Sequence, residues 1–551
     1  MKKSALLSTI LLVIILIGYN IASDINTGNG SVEFTKVTIL GERANLSGFL
    51  YIPDEADSVN PLPAVLLTHG ISNSKETLTG LAIELSRRGL VCLCLDLYGH
   101  GLSGGKLGTN DPSIGVLSGV EYLGSLDYVD ENRLALVGHS LGAGAVRAAS
   151  NYPGVWAVAF IGGGTSAGAQ EVVGILNSTT PRNLIFAVGS NDILFNVDEL
   201  KEELVPIFGI EDLIVLGKNY GNKTEGTGRM LSVSPTIHLL EPVDGKIVRS
   251  VTTWMLGSLQ PEKNVDNNLL KYPQRDNVNL ISLLAFVLLI FPISEFLWKT
   301  SYTIDQRKSD KISLKLMVFW SVMGLVLFIP AMAVGAVIPF PPQIFGSSLA
   351  WWLLASGFVG LIVLRFRSKV ITVSEILSEF RMKNVIIGVT LFLILYLTVY
   401  SVESYYGIGF MYIIPFFRSL NVQRMQLVPA YLPFFLFYFT VEGLYLYTNN
   451  DDKYSSNWYD FLKPSVIKAS PYLLLLFLQY GGMYFFDVRL IPGFLGFFLE
   501  FLWGILPIFT ITTLWSSWLR KITGNMVAGV ILNALVVSWI AATTFPFGAF
   551  F

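Results

Sequence analysis

The sequence is poor in cysteine, histidine and charge. Its 551 residues include two cysteines and four histidines, and only 14% are charged. Cys92 and Cys94 stand two apart in an apolar segment, so in a strand they share one face and are expected to be small buried apolar groups. This spacing favours neither a disulfide nor a metal pair, and we expect no metal site and no cofactor. The formal net charge of -2 argues against a nucleic-acid partner.

Long apolar runs are abundant instead. Hydrophobic residues make up 52% of the chain, which favours a lipid solvent. A helix needs roughly 17 to 25 residues to cross about 30 Å of hydrocarbon, and residues 4–22 form one such run. Eight more follow, at 280–298, 316–339, 349–364, 385–402, 428–447, 471–486, 491–514 and 526–545. A buried helical core does not explain so many uninterrupted runs in succession, so nine membrane spans are predicted.

Lysine and arginine occur in every second connection between these runs. The basic positions are Lys2, Lys3, Lys299, Arg307, Lys308, Lys311, Lys315, Arg365, Arg367, Lys369, Arg381, Lys383, Lys453, Lys463, Lys468, Arg520 and Lys521, and the alternate connections carry Arg418, Arg424 and Arg489. Basic connections face the cytoplasm, so the amino terminus is predicted inside and residues 24–260 outside. A cleaved signal peptide ending near Ala22 would put them on the same side; we favour an uncleaved anchor.

Five residues in this outer segment have the pattern of a nucleophile elbow. Gly138, His139, Ser140, Leu141 and Gly142 lie where an apolar strand turns into a helix. Glycines two residues on either side of Ser140 let the backbone turn sharply and hold the hydroxyl out at the end of the sheet. His139 fills the variable position and is expected to pack against its neighbours. A turn that uses glycine and serine only for their shape is the alternative.

A serine nucleophile needs an imidazole to take its proton and a carboxylate to orient that imidazole. His238 fits the base best of the four histidines, because it follows a strand and a turn. Asp192 fits the acid, since it comes directly after the strand at residues 184–188. The chain order Ser140, Asp192, His238 is the one expected of an α/β-hydrolase. The acids that could instead lie nearer His238 are Asp198, Glu211, Asp212 and Glu241.

Residues 31–259 resemble the α/β-hydrolase superfamily, and in particular its branch of monoglyceride lipases and serine aminopeptidases. The resemblance rests on the elbow and on two further motifs, Thr68-His69-Gly70-Ile71 and Asp96-Leu97-Tyr98-Gly99-His100-Gly101-Leu102-Ser103. It implies an α/β fold with a mostly parallel sheet, and an oxyanion hole formed by the backbone N–H groups of Ile71 and Leu141. His69 is expected to orient the end of its strand, and His100 to be structural.

The predicted organisation is an N-terminal transmembrane signal anchor at residues 1–23, an α/β-hydrolase domain at 24–260, a linker at 261–278 and an all-α membrane domain of about eight helices at 279–551. The predicted function is hydrolysis of carboxylic esters, lipid esters included, or of amides outside the cytoplasm, through an acyl-enzyme. One alternative is a membrane-bound serine peptidase. The other is a transporter or membrane scaffold whose hydrolase-like domain binds or regulates.

The predicted hydrolase domain leaves no room for a lid. About twenty residues, 162–182, separate two strands at the place where lipases commonly insert one. We therefore expect the pocket to face the membrane domain, with the aromatic segment 410–417 as part of its roof; the alternative is a domain held away from the membrane by the linker. Among polar residues within spans, Glu500 is the first functional candidate. Interhelical hydrogen bonding is the alternative role, and the lesser candidates are Glu442, Gln479 and Asn533.

Overall fold

The computed structural model of the chain describes residues 2–108, 110–165, 174–262, 269–298, 314–367, 373–412, 414–448, 459–486, 488–491 and 493–548. Within these ranges the chain has a part built on a sheet and a helical part. We call residues 32–259 the sheet domain, and the helices before and after them the membrane domain. The basic positions Lys299, Arg307, Lys308, Lys311, Lys369 and Lys453 lie outside the described residues.

Eight strands form the sheet. They are β1 (Val32–Leu40), β2 (Asn45–Pro53), β3 (Leu62–Thr68), β4 (Val91–Leu95), β5 (Val129–His139), β6 (Val155–Ile161), β7 (Leu184–Gly189) and β8 (Arg229–Ser234). Their order is β1-β2-β4-β3-β5-β6-β7-β8. The β1–β2 and β2–β4 pairs are antiparallel and every other pair is parallel. This topology confirms the predicted α/β-hydrolase fold.

Helices bury the sheet on both faces. After α1 (Lys2–Asn26), the helices of the sheet domain are α2 (Thr79–Ser86), α3 (Val116–Gly124), α4 (Leu141–Ala149), α5 (Val197–Phe208) and α6 (Gly245–Leu259). Parallel strands covered on both sides are apolar throughout, and every residue of β4 is buried. Cys92 and Cys94 are free and pack in one apolar cluster with α2 and α6, which confirms their predicted shared, buried face.

The membrane domain is helical. Its helices after α1 are α7 (Tyr272–Trp298), α8 (Leu314–Val337), α9 (Gly346–Arg367), α10 (Val373–Glu379), α11 (Met382–Tyr406), α12 (Val422–Met425), α13 (Leu427–Thr448), α14 (Tyr459–Phe486), α15 (Gly493–Thr523) and α16 (Val527–Thr544), and a hairpin of β9 (Phe410–Tyr412) and β10 (Ile414–Phe417) precedes α12. Among the described residues, eight helices, α1 included, are long and apolar enough to cross a membrane. The remaining one of the nine predicted runs, 471–486, lies in α14, which is not among these eight. These helices indicate a multi-pass membrane protein.

The sheet domain is docked on the membrane domain. Helix α7 begins at Tyr272, inside the segment 261–278 predicted as a linker. The side chain of Glu84 on α2 accepts hydrogen bonds from the N–H groups of Lys271 and Tyr272, at 2.6 and 2.8 Å. The start of α7 is thus fixed directly to the sheet domain, and the alternative of a domain held away from the membrane is wrong.

A buried arginine joins the two domains at another point. Arg424 on α12 is 1% exposed. Its guanidinium donates to the carbonyl oxygens of Gly99 and Gly101 in the sheet domain, at 3.0 and 2.5 Å. It also donates to those of Ala542 and Phe545 at the end of α16, at 2.5 and 3.0 Å. Because guanidinium carries five donors in a fixed plane, this one side chain fixes the end of α16 to the sheet domain.

Lys468 lies inside α14, where the sequence predicted a cytoplasmic connection. Its ammonium group is buried 2.7 Å from the carboxylate of Glu442, and the hydroxyl of Thr513 donates to the same carboxylate oxygen at 2.6 Å. Charged residues within a membrane domain pair with one another in this way. A count of basic residues along the sequence cannot detect such a partner, and the orientation of the chain stays a prediction. Lys463 also lies in α14.

Candidate active site

Ser140 stands between β5 and α4 in a sharp turn. Its φ of +52° is a conformation that residues with a side chain rarely adopt. A Cβ atom on Gly138 would lie 2.1 Å from the carbonyl oxygen of Gly142, and one on Gly142 would lie 2.6 Å from that of Thr68. Both positions therefore require glycine, and the turn presents Ser140 at the carboxyl end of the sheet, as the sequence pattern predicts.

Hydrogen bonds join Ser140, His238 and Asp192. Nε2 of His238 lies 2.9 Å from Oγ of Ser140, and Nδ1 lies 2.8 Å from Oδ2 of Asp192. The N–H of Leu194 donates to the other carboxylate oxygen of Asp192 at 2.7 Å. The three residues meet because β5, β7 and β8 are parallel and each residue follows the carboxyl end of its strand. The arrangement can pass the serine proton to an oriented imidazole.

A second carboxylate lies beside the same imidazole. Oε2 of Glu241 is 3.3 Å from Nδ1 of His238 and 3.4 Å from Nε2 of His139, while Oε1 accepts the N–H of Gly189 at 2.6 Å. Gly162, with a φ of +54°, makes room for it, since a Cβ there would lie 1.9 Å from Oε2. Glu241 was one of the four alternative acids; only its spacing of three residues from His238 could have singled it out. Of the two carboxylates, Asp192 lies closer to Nδ1.

Two backbone N–H groups stand where the resemblance puts an oxyanion hole. Leu141 is the first residue of α4, so its N–H has no acceptor within the helix. Ile71 lines the cavity next to Ser140. The loop that carries Ile71 runs close to the elbow, because a Cβ on Gly70 would lie only 3.1 Å from the Cβ of Ser140. Ile71 and Leu141 thus both lie close to Ser140 at this turn.

His69 holds that loop in place. Its Nδ1 donates to the carbonyl oxygen of Gly70 at 2.8 Å, and its Nε2 accepts the N–H of Leu97 at 3.2 Å. Burial lowers the pKa of His69 to about 3, so the ring is neutral. With both ring nitrogens occupied, the side chain orients the loop after β3 and does not reach the cavity.

A cavity of about 120 Å³ begins at Ser140 and His238 and runs between the two domains. The loop after β3 and the elbow form one wall. Membrane helices form the other wall: α15 through Phe497, Glu500, Phe501, Gly504, Ile505 and Ile508, α16 and the residue after it through Val537, Ile540, Ala541, Thr544 and Phe545, and α9 through Leu349. The pocket therefore faces the membrane domain, and its wall on that side includes α15 and α16, which are long and apolar enough to cross a membrane.

The two side chains of the aromatic segment 410–417 that the structure describes, Phe410 and Phe417, do not line the cavity. The ring of Phe286 on α7 packs against both Phe410 and Phe417, with centroids 4.4 and 5.1 Å apart, and neither of these two side chains lines the cavity. Residue 413 lies outside the described residues. Phe417 also contacts Trp539 on α16, so these two side chains pack against α7 and α16. The prediction of an aromatic roof was therefore wrong for the described side chains.

Glu500 is an acidic residue of α15 in the wall of the cavity. It lines the cavity, is 5% exposed, and accepts a hydrogen bond from the hydroxyl of Tyr480 on α14 at 3.0 Å. Glu500 therefore makes an interhelical hydrogen bond, which was its predicted alternative role, and it also faces the cavity. Among the described lining residues there is no lysine or arginine, so the cavity offers no cation to a phosphate group.

His139, His238 and Glu241 have ligand atoms within 4.8 Å of one another, a spacing that could hold a metal ion. A metal at Nδ1 of His238 would have to displace the hydrogen bond to Asp192. Both ring nitrogens of His238 already have hydrogen-bond partners, Asp192 and Ser140, and the absence of a metal site and of a cofactor stays our prediction.

The pH dependence of the site follows from its two carboxylates. Burial by itself would lower the pKa of His238, but Asp192 and Glu241 outweigh this effect and raise it well above its usual value. Because a general base must be neutral, kcat/KM for ester hydrolysis should rise with pH through this elevated pKa. Glu241→Gln removes one of the two charges and should move the rising limb to lower pH in a pH–rate profile. An unchanged limb, or one at higher pH, would contradict this account.

Comparison with known proteins relates part of the sheet domain to a family of hydrolases. Residues 60–182 match the family model described as serine aminopeptidase, S33, so the chain contains an α/β-hydrolase domain. The uncharacterised protein YcjY of Escherichia coli (strain K12) is 31% identical over 125 residues, which cover 21% of this chain and 39% of that protein. The chain therefore spans about two fifths of the length of this curated relative.

Solved structures similar to the chain include three hydrolases. An esterase from Pyrococcus furiosus is 20% identical, with a TM-score of 0.32, over 42% of this chain and 94% of that chain. A dienelactone hydrolase from Anabaena variabilis ATCC 29413 is 17% identical, with a TM-score of 0.29, over 42% and 100%. A bacterial heroin esterase is 13% identical, with a TM-score of 0.32, over 42% and 85%.

Proposed function

We propose that the protein is a membrane-integrated serine hydrolase that cleaves carboxylic esters, or amides, through an acyl-enzyme. The observation that carries the proposal is the hydrogen-bonded series from Ser140 through His238 to Asp192 at the mouth of the cavity. Ser140 is the nucleophile, His238 the general base and Asp192 the acid that keeps the proton of His238 on Nδ1. The N–H groups of Ile71 and Leu141 form the oxyanion hole.

In the first half of the reaction, Oγ of Ser140 attacks the carbonyl carbon while its proton passes to Nε2 of His238. The carbonyl oxygen becomes an oxyanion and accepts hydrogen bonds from the N–H groups of Ile71 and Leu141, which become stronger as the charge develops. His238 then gives its proton to the departing alcohol or amine, and an acyl ester on Ser140 remains. In the second half, water loses a proton to His238, its oxygen attacks the acyl carbon, and the carboxylic acid leaves as Ser140 is reprotonated.

The reaction is placed on the extracytoplasmic face of a membrane. Helix α15 begins beside the active site, where the rings of Phe497 and His238 have centroids 6.1 Å apart, and carries Arg520 and Lys521 in its last turn. If α15 spans the bilayer, its basic end lies on the side away from the sheet domain. Basic ends favour the cytoplasm, which supports a sheet domain outside.

A fluorophosphonate probe tests both the nucleophile and the face, because it reacts only with an activated serine. With a membrane-impermeant biotin conjugate, we expect labelling of the full-length protein on intact cells and complete loss of labelling in Ser140→Ala. Ser72→Ala is the matched control: Ser72 lines the same cavity, but no hydrogen-bond partner is described for its hydroxyl, so labelling should persist.

Three outcomes would count against the proposal. Labelling of a folded Ser140→Ala variant would refute the nucleophile. Labelling that appears only after lysis would refute the extracytoplasmic face. An unlabelled parent protein would favour the alternative of a transporter or scaffold with a hydrolase-like domain.

A further inference from the structure

We propose that the cavity is a channel for a long acyl chain, built by the membrane domain, and that the substrate is a long-chain ester taken from the bilayer. The inference rests on the proposed function and specifies its substrate class. It is carried by the shape and lining of the cavity, which continues well past the reacting serine. A pocket for a short soluble ester would end beside Ser140 and His238.

The lining residues of α15 follow one face of the helix. Positions 497, 500, 501, 504, 505 and 508 recur at the spacing of three and four that marks a single helical stripe. At a rise of 1.5 Å per residue, the stripe from Phe497 to Ile508 is roughly 16 Å long. Positions 537, 540, 541 and 544 on α16 form a second stripe of the same kind, and Phe545 follows directly after the helix. A cavity bounded by two such stripes is elongated along the helices.

The channel has one polar end and one apolar end. Phe497 lies beside His238, so the first turns of α15 mark the reacting end, and Ile508 lies near the middle of Gly493–Thr523. The far end is therefore at the depth of the membrane-spanning part of α15. Beyond Glu500 the lining toward this end consists of apolar residues on both helices: Phe501, Gly504, Ile505, Ile508, Val537, Ile540 and Ala541. A polar group buried there would have no hydrogen-bond partner, which costs free energy. A hydrocarbon chain has no polar group and does not incur this cost.

Small side chains keep the channel open. Gly504 and Ala541 stand on the two helices between the polar and apolar ends, and a leucine at either position would fill the lumen beyond that level. The substrate carbonyl and the first carbons of the chain would still fit beside Ser140. The sizes of these two side chains thus limit the length of acyl chain that the channel accepts.

The test uses the full-length protein in detergent micelles with the butyryl and palmitoyl esters of p-nitrophenol. Each methylene group kept from water contributes roughly a fourfold factor, so the parent should favour palmitate. Ala541→Leu and Gly504→Leu should each lower kcat/KM for palmitate at least tenfold and change that for butyrate by less than about twofold. Gly481→Leu on α14 is the matched control, because nothing lies within 4 Å of that position, and it should leave both rates unchanged.

A second readout does not depend on hydrolysis. A hexadecanol with a photoreactive diazirine at its terminal carbon should crosslink to peptides of α15 or α16 around Ile508 and Val537 in the parent, and not in Ala541→Leu. Equal loss of both ester activities in variants that still label with fluorophosphonate, or crosslinking confined to lipid-facing helices, would overturn the channel while leaving the serine hydrolase intact. Crosslinking at the expected peptides in a protein without fluorophosphonate labelling would support the channel and refute the hydrolase.

Discussion

Asp192→Asn is expected to lower kcat for ester hydrolysis by roughly 10³ to 10⁴, because the imidazole would lose the carboxylate that fixes its tautomer and stabilises its charged form. The shortest contact of Nδ1 of His238 is with Asp192, at 2.8 Å. Glu241 is 3.3 Å from the same atom and already accepts the N–H of Gly189. We therefore expect Glu241→Gln to cost no more than about tenfold in kcat.

The comparison of these variants decides between the two acids. Asp198→Asn is the matched control, because Asp198 was also an alternative acid and its side chain is 86% exposed, paired with Lys201. Its kcat should equal that of the parent. If Glu241→Gln proves more damaging than Asp192→Asn in steady-state assays, the acid of the site is Glu241 and the assignment from chain order is wrong.

Arg424→Met is expected to destabilise the protein by about 3 to 5 kcal/mol, the usual result of breaking a buried charged network. The substitution keeps most of the apolar volume but removes the guanidinium donors to the carbonyl oxygens of Gly99, Gly101, Ala542 and Phe545. The carbonyl oxygens would lose these donors in a buried interface, which costs free energy for each. The apparent unfolding temperature in detergent, measured at a fixed scan rate, should fall by several degrees.

Arg365→Met on α9 is the control for this variant. Arg365 is exposed, and an exposed change of this kind usually alters stability by less than about 0.5 kcal/mol. If the two methionine variants unfold at the same temperature, the Arg424 contacts do not hold the domains together. The docking of the sheet domain on the membrane domain would then have to rest on other contacts, such as that of Glu84 with the start of α7.

The elbow and its partners could be located from the sequence because each follows a strand of one parallel sheet. The glycines at positions 138 and 142 specify a turn that larger residues cannot make, and strands such as 184–188 are apolar enough to be recognised alone. Once the strands are parallel and adjacent, residues at their carboxyl ends must meet. The geometry of Ser140, His238 and Asp192 follows from these local signals together with the chain order.

The cavity wall could not be predicted in the same way. Whether α15 or the segment 410–417 lies above Ser140 depends on contacts between residues hundreds of positions apart, and any apolar helix is equally suited to lipid or to a pocket. Apart from Glu500, the residues of the stripe on α15 are no more distinctive than the apolar residues on the other faces of the helix. Lys468 shows the same limit for charge, since its pairing with Glu442 is invisible along the chain.

The division of the active site between two domains has a consequence for the order of synthesis. A ribosome completes the sheet domain, with Ser140, His238 and Asp192 all present, before it makes α15 and α16. Until those helices are inserted, the nucleophile faces a site that lacks one of its walls, and Phe547 cannot yet form its backbone hydrogen bonds with Gly99 and Leu107. A nascent chain thus carries Ser140, His238 and Asp192 early but acquires the proposed acyl channel only when its late helices have entered the bilayer.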